Sequence, residues 1–132
     1  MRASILYLSL KNWRRDTEMK VITLGEILLR LSTADDVRLK SAKEFRVCYG
    51  GAEANVGISL AHFGHDVSVA TVLPQDNPLN DAVSLRLRMN GINTNLVATE
   101  YGRLGTYFLE QGNAGRASRV TYDRLYSSIS VL

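Results

Sequence analysis

The sequence has too few cysteine and histidine residues to build a disulfide framework or a typical metal site. Cys48 is the single cysteine, so no intrachain disulfide can form and a cysteine-rich metal site is excluded. His62 and His65 have no acidic or cysteine partners at ligand spacing, and they are interpreted as structural residues. No metal site is therefore predicted, and a protein without disulfides is expected in a reducing compartment, the cytoplasm.

A long apolar run is also missing. The apolar stretch at residues 5–10 is shorter than the roughly 20 residues that cross a bilayer. Arg14 and Arg15 stand where a signal-peptide cleavage site needs small residues. No membrane partner is predicted. Because Met19 is followed at once by a strand-like run, residues 1–18 are interpreted as a leader of doubtful status and residues 19–132 as the folded part.

No strongly basic or acidic surface is indicated. Sixteen basic and thirteen acidic residues leave a net charge of +3, and beyond the first twenty positions the two signs are mixed. Without a basic stripe interleaved with aromatic residues, no nucleic-acid partner is predicted. A P-loop pattern is absent, and Gly25-Glu26 leads into an extended run instead of a Gly-x-Gly-x-x-Gly turn. A dinucleotide-binding domain is therefore disfavoured.

Hydrophobic periodicity predicts strands that alternate with helices. One helix is expected between Gly51 and Gly64, with Gly64 at the C′ position. A second helix is expected after Asp76-Asn77-Pro78, which supplies a capping side chain and then a proline that suits the first helical turn. The expected apolar face of this second helix contains Ala82, Leu85 and Met89. Strands are expected at residues 21–25, 27–32, 45–49, 66–73 and 94–99.

The last third of the chain has a different pattern from the middle. Strand and helix alternation with short links favours a parallel sheet with crossover helices. Residues 106–111 and 119–124 instead form two extended runs joined by a glycine-containing tip, which is typical of an antiparallel hairpin. The predicted fold class is therefore α/β, a partial parallel sheet with crossover helices plus a small antiparallel piece.

The helix that follows Gly50-Gly51 is the first candidate binding site. Glycines let a ligand approach the backbone closely, and the start of a helix offers free N–H groups. Asn55 lies one turn into the helix, and its side chain leans back toward that end, where it can reach a hydroxylated ligand. The equally weighted alternative is that the glycines shape a tight turn and Asn55 satisfies a nearby backbone group.

The hairpin holds the second candidate site. Tyr122 and Arg124 are two residues apart and therefore project from one face of a strand, and Tyr107 stands on the partner run. A guanidinium group binds a carboxylate through two parallel hydrogen bonds, and each phenol can donate or accept one. These residue types suit a hydroxyl-rich acid. On residue types alone, an exposed ribbon with a solvated arginine is the alternative.

Residues 20–132 resemble the N-terminal half of the ribokinase-like (PfkB-type) carbohydrate kinases. Residues 20–26, Lys-Val-Ile-Thr-Leu-Gly-Glu, look like the family's first strand. Residues 50–56, Gly-Gly-Ala-Glu-Ala-Asn-Val, look like its sugar-binding glycine motif. Within the family, the Gly-Gly-Ala-Glu form and the run Val-Thr-Tyr-Asp-Arg at residues 120–124 are similar to 2-keto-3-deoxygluconate kinases.

The resemblance implies a function for each candidate site. Gly51 and Asn55 would hold sugar hydroxyls, while Tyr107 and Tyr122 would contact the keto acid, with Arg124 near its carboxylate. The early extended segments and the hairpin would form a small β-lid that covers the sugar and, in many relatives, interlocks with the lid of a second subunit, so a homodimer is an expected partner state. The complete enzyme would phosphorylate 2-keto-3-deoxygluconate with ATP and Mg²⁺.

The sequence departs from the family pattern in one respect. The Gly-Ala-Gly-Asp motif that supplies the family's anion hole and catalytic aspartate does not occur in these 132 residues, and neither does the ATP-binding segment. No catalytic or cofactor-binding residue is therefore assigned, and the chain alone is expected to lack kinase activity. A fructokinase or another carbohydrate kinase of the same family is an alternative, and so is a non-catalytic sugar-binding or dimerisation module.

Overall fold

A computed structural model describes residues 19–132, which form two four-stranded sheets and two α-helices. The segment interpreted above as a leader lies outside the described residues. The strands are β1 (Lys20–Leu24), β2 (Leu28–Ser32), β3 (Arg46–Gly50), β4 (Asp66–Pro74), β5 (Ile92–Asn93), β6 (Val97–Glu100), β7 (Thr106–Glu110) and β8 (Arg119–Asp123), and the helices are α1 (Ala52–His62) and α2 (Leu79–Met89).

The first sheet is parallel throughout, as the alternation of strands and helices predicts. β4 pairs with β1 and also with β5 and β6. The strand expected at 94–99 is shorter in the structure, where β6 begins at Val97, and the two-residue strand β5 precedes it at Ile92–Asn93. The side chain of Asn93 accepts a hydrogen bond from the Asn95 N–H at 2.9 Å, and this local turn interrupts the strand.

The second sheet, which we call the lid, is mixed and has the order β3-β2-β7-β8. β2 pairs antiparallel with β3, and β7 pairs antiparallel with β8. The hairpin of β7 and β8 is antiparallel as expected, whereas β2 and β7 run parallel, so the lid as a whole is a mixed sheet instead of an antiparallel one. β3, both helices and strands β4 to β6 lie between β2 and β7 in the sequence, and a connection of that length allows the chain to return in the same direction.

The core lies between the parallel sheet and the two helices. Val67 and Val69 of β4 are buried with Val83 and Leu87 of α2. Gly57 lets α1 approach the sheet closely, because a Cβ there would lie 3.3 Å from Val67 Cγ1. Leu29 of β2 and Tyr49 of β3 pack against the same cluster, so the lid is attached to the core by apolar contacts.

The helix ends follow the sequence signals. Gly64 adopts a φ of 93° after the last turn of α1, which is the left-handed conformation that favours glycine at C′. The side chain of Asn77 accepts a hydrogen bond from the Leu79 N–H at 2.9 Å, and Pro78 has a helical φ of −63°. The Asn80 side chain donates to the Pro74 carbonyl at 2.7 Å, which ties the start of α2 to the end of β4.

The buried face of α2 differs from the one expected. Val83 and Leu87 are 0% and 3% exposed, whereas Leu85 and Met89 are 53% and 77% exposed. The stripe that includes Ala82 is therefore turned away from the core. Both stripes are apolar and have helical spacing, so the sequence pattern did not distinguish the face that meets β5.

One face of the parallel sheet is uncovered within residues 19–132. Val21 and Thr23 of β1 point toward α1 and are partly buried, whereas the alternate residues Ile22 and Leu24 are 65% and 73% exposed. Exposed apolar sheet faces of this kind favour association. In the part of the chain that the structure describes, no helix is long and apolar enough to cross a membrane.

Substitution of the two leucines of α2 tests which face is buried. We expect Leu87→Ala to lower the free energy of unfolding by about 2–5 kcal/mol, because it leaves a cavity in the core. The matched control Leu85→Ala is expected to change it by no more than about 0.5 kcal/mol. Urea unfolding followed by circular dichroism measures both, and equal losses would contradict the assignment.

Candidate functional site

The hairpin brings the two predicted tyrosines together. Tyr107 and Tyr122 stand directly opposite each other on β7 and β8, and their ring centres are 5.6 Å apart at an interplanar angle of 41°. The guanidinium carbon of Arg124 lies 5.8 Å from the centre of the Tyr122 ring, within the range of a cation–π contact. The three side chains therefore form one cluster on the lid, as the two-residue period predicts.

Arg124 also makes an ion pair that sequence reasoning missed. Nε of Arg124 donates to Glu26 Oε2 at 2.7 Å, and Nη2 lies 2.5 Å from the same oxygen. The Glu26 side chain is 8% exposed and that of Arg124 is 50% exposed. The position of Glu26 just after β1 is a sequence signal that could have identified it. Ligands of open α/β sheets bind beyond the carboxyl ends of the strands.

The glycine turn meets the same glutamate through its backbone. Gly51 has a φ of −164°, an extended conformation that any residue adopts. A Cβ at Gly51 would, however, overlap the carbonyl oxygen of Glu26. Glycine is therefore needed at this position for close approach and not for an unusual backbone angle. Glu26 thus contacts the Gly51 turn with its backbone and Arg124 of the lid with its carboxylate.

Asn55 lies in the first turn of α1 and is exposed. Its backbone N–H donates to the Gly51 carbonyl at 2.9 Å. Within the described residues, its side-chain amide makes no hydrogen bond, so both the donor and the acceptor of that amide are free for a ligand. Capping of a neighbouring backbone group, the alternative raised from the sequence, is not seen there.

An open cleft of about 630 Å³ borders the ion pair. Its lining residues are Glu26, Arg124, Leu125, Tyr126, Ser130 and Val131. Another cleft, of about 460 Å³, includes Glu110, Arg119 and Thr121. Thr121 alternates with Tyr122 along β8, so this cleft opens on the opposite face of the lid. That second cleft contains none of the predicted sugar contacts, whereas Arg124 is the one predicted contact that lines the cleft beside Glu26. We take the cleft beside Glu26 as the candidate site, together with the tyrosines that cluster with Arg124 and the Gly51 turn that contacts Glu26.

A second ion pair fixes the backbone around Arg124. Arg103 donates from Nη1 and Nη2 to the two carboxylate oxygens of Asp123 at 2.6 Å and 2.8 Å. This hydrogen bonding lowers the pKa of Asp123. It also raises the pKa of Arg103, to which the nearby charge of Glu26 adds. The Arg103 N–H donates to the Tyr126 carbonyl at 3.3 Å, so the chain on both sides of Arg124 is held.

In residues 19–132, no three His, Cys, Asp or Glu side chains are grouped closely enough to hold a metal ion. The candidate site instead consists of a guanidinium group, two phenols, an amide and a glycine turn. These groups are suited to binding a hydroxylated anion, and no chemical step through a metal or nucleotide is assigned to them.

Comparison with known sequences identifies the class of protein. The pattern that defines the family "pfkB family carbohydrate kinase" matches residues 18–130, which include both parts of the candidate site. The chain belongs to the pfkB family of carbohydrate kinases. The resemblance drawn from the glycine motif and the hairpin is thereby confirmed.

Three relatives show where in the family the similarity is high. The crystal structure of 2-dehydro-3-deoxygluconokinase from Thermotoga maritima is 49% identical, with a TM-score of 0.81 over 87% of this chain and 35% of that one. A pfkB family carbohydrate kinase from Listeria grayi is 41% identical, with a TM-score of 0.79 over 85% and 35%. The 2-dehydro-3-deoxygalactonokinase of Haloferax volcanii is 32% identical over 84% of this chain and 35% of its own length. The chain thus spans about a third of the length of these relatives.

Replacement of Gly51 tests the close approach to Glu26. We expect Gly51→Ala to lower the free energy of unfolding by about 1–3 kcal/mol, because the added methyl group meets a backbone atom that cannot rotate away. Gly115→Ala is the control, since a Cβ at Gly115 has no neighbour within 4 Å. Thermal unfolding of both variants provides the measurement, and two equally stable proteins would refute the contact.

The Arg103–Asp123 pair predicts a pH dependence of stability. The pKa of Asp123 is lower in the folded state than in the unfolded state. The ion pair therefore stabilises the fold at pH values above the unfolded-state pKa of Asp123, and this stabilisation is lost as the pH falls through its folded-state pKa. We expect the stability of the unmodified chain to fall more steeply than that of Asp123→Asn below about pH 3.9. Denaturant unfolding at several pH values measures this, and parallel curves would exclude the contribution.

Proposed function

We propose that this chain forms the sugar-binding part of a kinase for 2-keto-3-deoxy sugar acids, with 2-keto-3-deoxygluconate as substrate. The observation that carries the proposal is the cluster of Arg124, Tyr107 and Tyr122 on one face of the lid. A guanidinium group beside two phenols suits a ligand that has both a carboxylate and hydroxyl groups. The names of the Thermotoga and Haloferax relatives support the same class of substrate.

The proposed binding mode uses each group according to its hydrogen-bonding capacity. Arg124 has donors beyond those that Glu26 occupies, and these would bind the substrate carboxylate. The phenols of Tyr107 and Tyr122 would donate to the keto oxygen or accept from hydroxyl groups. Asn55 and the backbone at Gly51 would bind the hydroxyl groups at the other end of the sugar. A ligand held at both ends is oriented for reaction at a fixed hydroxyl.

In the complete enzyme, the proposed reaction transfers the γ-phosphoryl group of ATP to a hydroxyl of the sugar acid, with Mg²⁺ balancing the phosphate charge. Residues 19–132 would contribute substrate binding and orientation. The lid would also keep water from the sugar, which matters because water can accept the phosphoryl group in place of the substrate. Residues 19–132 would then correspond to the N-terminal part of the kinase domain.

A homodimer through the lid is a further part of the proposal. Val120 of β8 is 45% exposed, and Tyr122, two residues along the same face, is 62% exposed. Apolar groups on one exposed strand face are suited to pairing with a second copy of that face. A non-catalytic sugar-binding or dimerisation role would use the same surfaces. The titration described next tests sugar binding for that role as well as for the kinase.

Calorimetric titration of the chain with 2-keto-3-deoxygluconate and with fructose tests the preference for an acid. We expect the unmodified chain to bind the acid more tightly than fructose. We expect Arg124→Gln to weaken binding of the acid about tenfold, because one charge-assisted contact is lost. Arg119→Gln is the matched control, because Arg119 lies on the opposite face of the lid and borders the other cleft. Tighter binding of fructose would favour a fructokinase or another neutral-sugar kinase.

A further inference from the structure

We propose that Glu26 is a positioning residue that orients Arg124, so that one edge of the guanidinium group faces the candidate site. This inference rests on the proposed function, since it concerns how the same site selects a carboxylate. It assigns to Glu26 a role through Arg124 and not a direct contact with the sugar.

The atoms that form the ion pair carry the argument. Glu26 Oε2 accepts a hydrogen bond from Nε of Arg124 and forms an ion-pair contact with Nη2. These two nitrogens form the side edge of the guanidinium plane. The five N–H groups of arginine lie in that plane, and the side edge of the plane faces Glu26. The end edge, which consists of Nη1 and the second N–H of Nη2, remains available. Its two parallel donors match the two oxygens of a substrate carboxylate.

Glu26 is restrained much more than its partner. Its side chain is 8% exposed, it lies between the end of β1 and the start of β2, and its carbonyl fits against Gly51. Arg124 follows the last residue of β8 and has a half-exposed side chain. A long arginine side chain of this kind loses rotational freedom when it is held. The glutamate therefore fixes the arginine, and the arginine can meet a ligand without first being ordered.

Gly105 provides the space that the glutamate occupies. A Cβ at Gly105 would overlap Glu26 Oε1 and lie 2.7 Å from Leu28 Cδ2. Oε1 is buried and has no hydrogen-bond partner within the described residues. A side chain at position 105 would therefore displace the carboxylate from Arg124 without removing its charge. A substitution at position 105 therefore tests how the position of the Glu26 carboxylate affects Arg124, separately from the effect of its charge.

If Glu26 competed with the substrate for Arg124, it would have a different effect on the affinity for the acid. If Glu26 only competed with the substrate carboxylate for Arg124, its removal would leave more donors free and would strengthen binding of the acid. If Glu26 orients Arg124, its removal weakens that binding. The two roles thus change the affinity in opposite directions.

The experiment compares the full chain with Glu26→Gln and Gly105→Ala, and with Glu100→Gln as a control that removes one negative charge at the exposed end of β6. Titration with 2-keto-3-deoxygluconate is expected to show affinities about tenfold lower for the first two variants, with the control unchanged. The ¹⁵N-edited NMR signal of the Arg124 Nε–H, assigned by its loss in Arg124→Lys, is expected to shift in both variants that disturb the ion pair.

The outcomes separate this inference from the proposed function. An unmodified chain that does not bind the acid would overturn the proposed substrate and this inference with it. An unmodified chain that binds the acid, together with equal or tighter binding by Glu26→Gln, would overturn the positioning role alone. An unchanged Nε–H signal in both Glu26→Gln and Gly105→Ala would also overturn it, whatever the ligand affinities.

Discussion

The ion pair between Glu26 and Arg124 joins residues 98 positions apart in the sequence. It connects the end of the first parallel strand to the end of the last lid strand, and the backbone of the same glutamate lies against Gly51. The glycine turn, the parallel sheet and the lid therefore meet at one glutamate, whose carboxylate is nearly buried. A buried charge is stable only when it is paired and held by its surroundings, and this requirement explains both the space at Gly105 and the fixed place of Arg124.

Local signals in the sequence predicted the local structure well. Gly64 and Asn77 act at the helix ends as expected, and the two-residue period of the hairpin places Tyr122 and Arg124 together. The buried face of α2 was not predictable in the same way, because two stripes of that helix are apolar and only contact with the sheet selects one. The parallel pairing of β2 with β7 and the ion pair of Glu26 depend on distant parts of the chain, about which local patterns carry no information.

Membership in the pfkB family establishes the class of protein, and the geometry of the lid adds chemical detail to it. The cluster of one guanidinium group and two phenols is suited to a sugar acid, and the Thermotoga and Haloferax relatives carry names of that type. The chain spans about a third of their length, and Ile22 and Leu24 expose one face of the sheet. Experiments on these residues can therefore address the proposed binding of a substrate directly.

The most direct test of the account is a crystal structure of the chain with 2-keto-3-deoxygluconate bound. The account predicts that the substrate carboxylate lies on the end edge of Arg124, with N–O distances of about 2.7–2.9 Å, while Glu26 stays on the side edge. It also predicts sugar hydroxyl groups within hydrogen-bonding distance of Asn55. A carboxylate bound away from Arg124, or an Arg124 that has left Glu26 to bind it, would contradict the account.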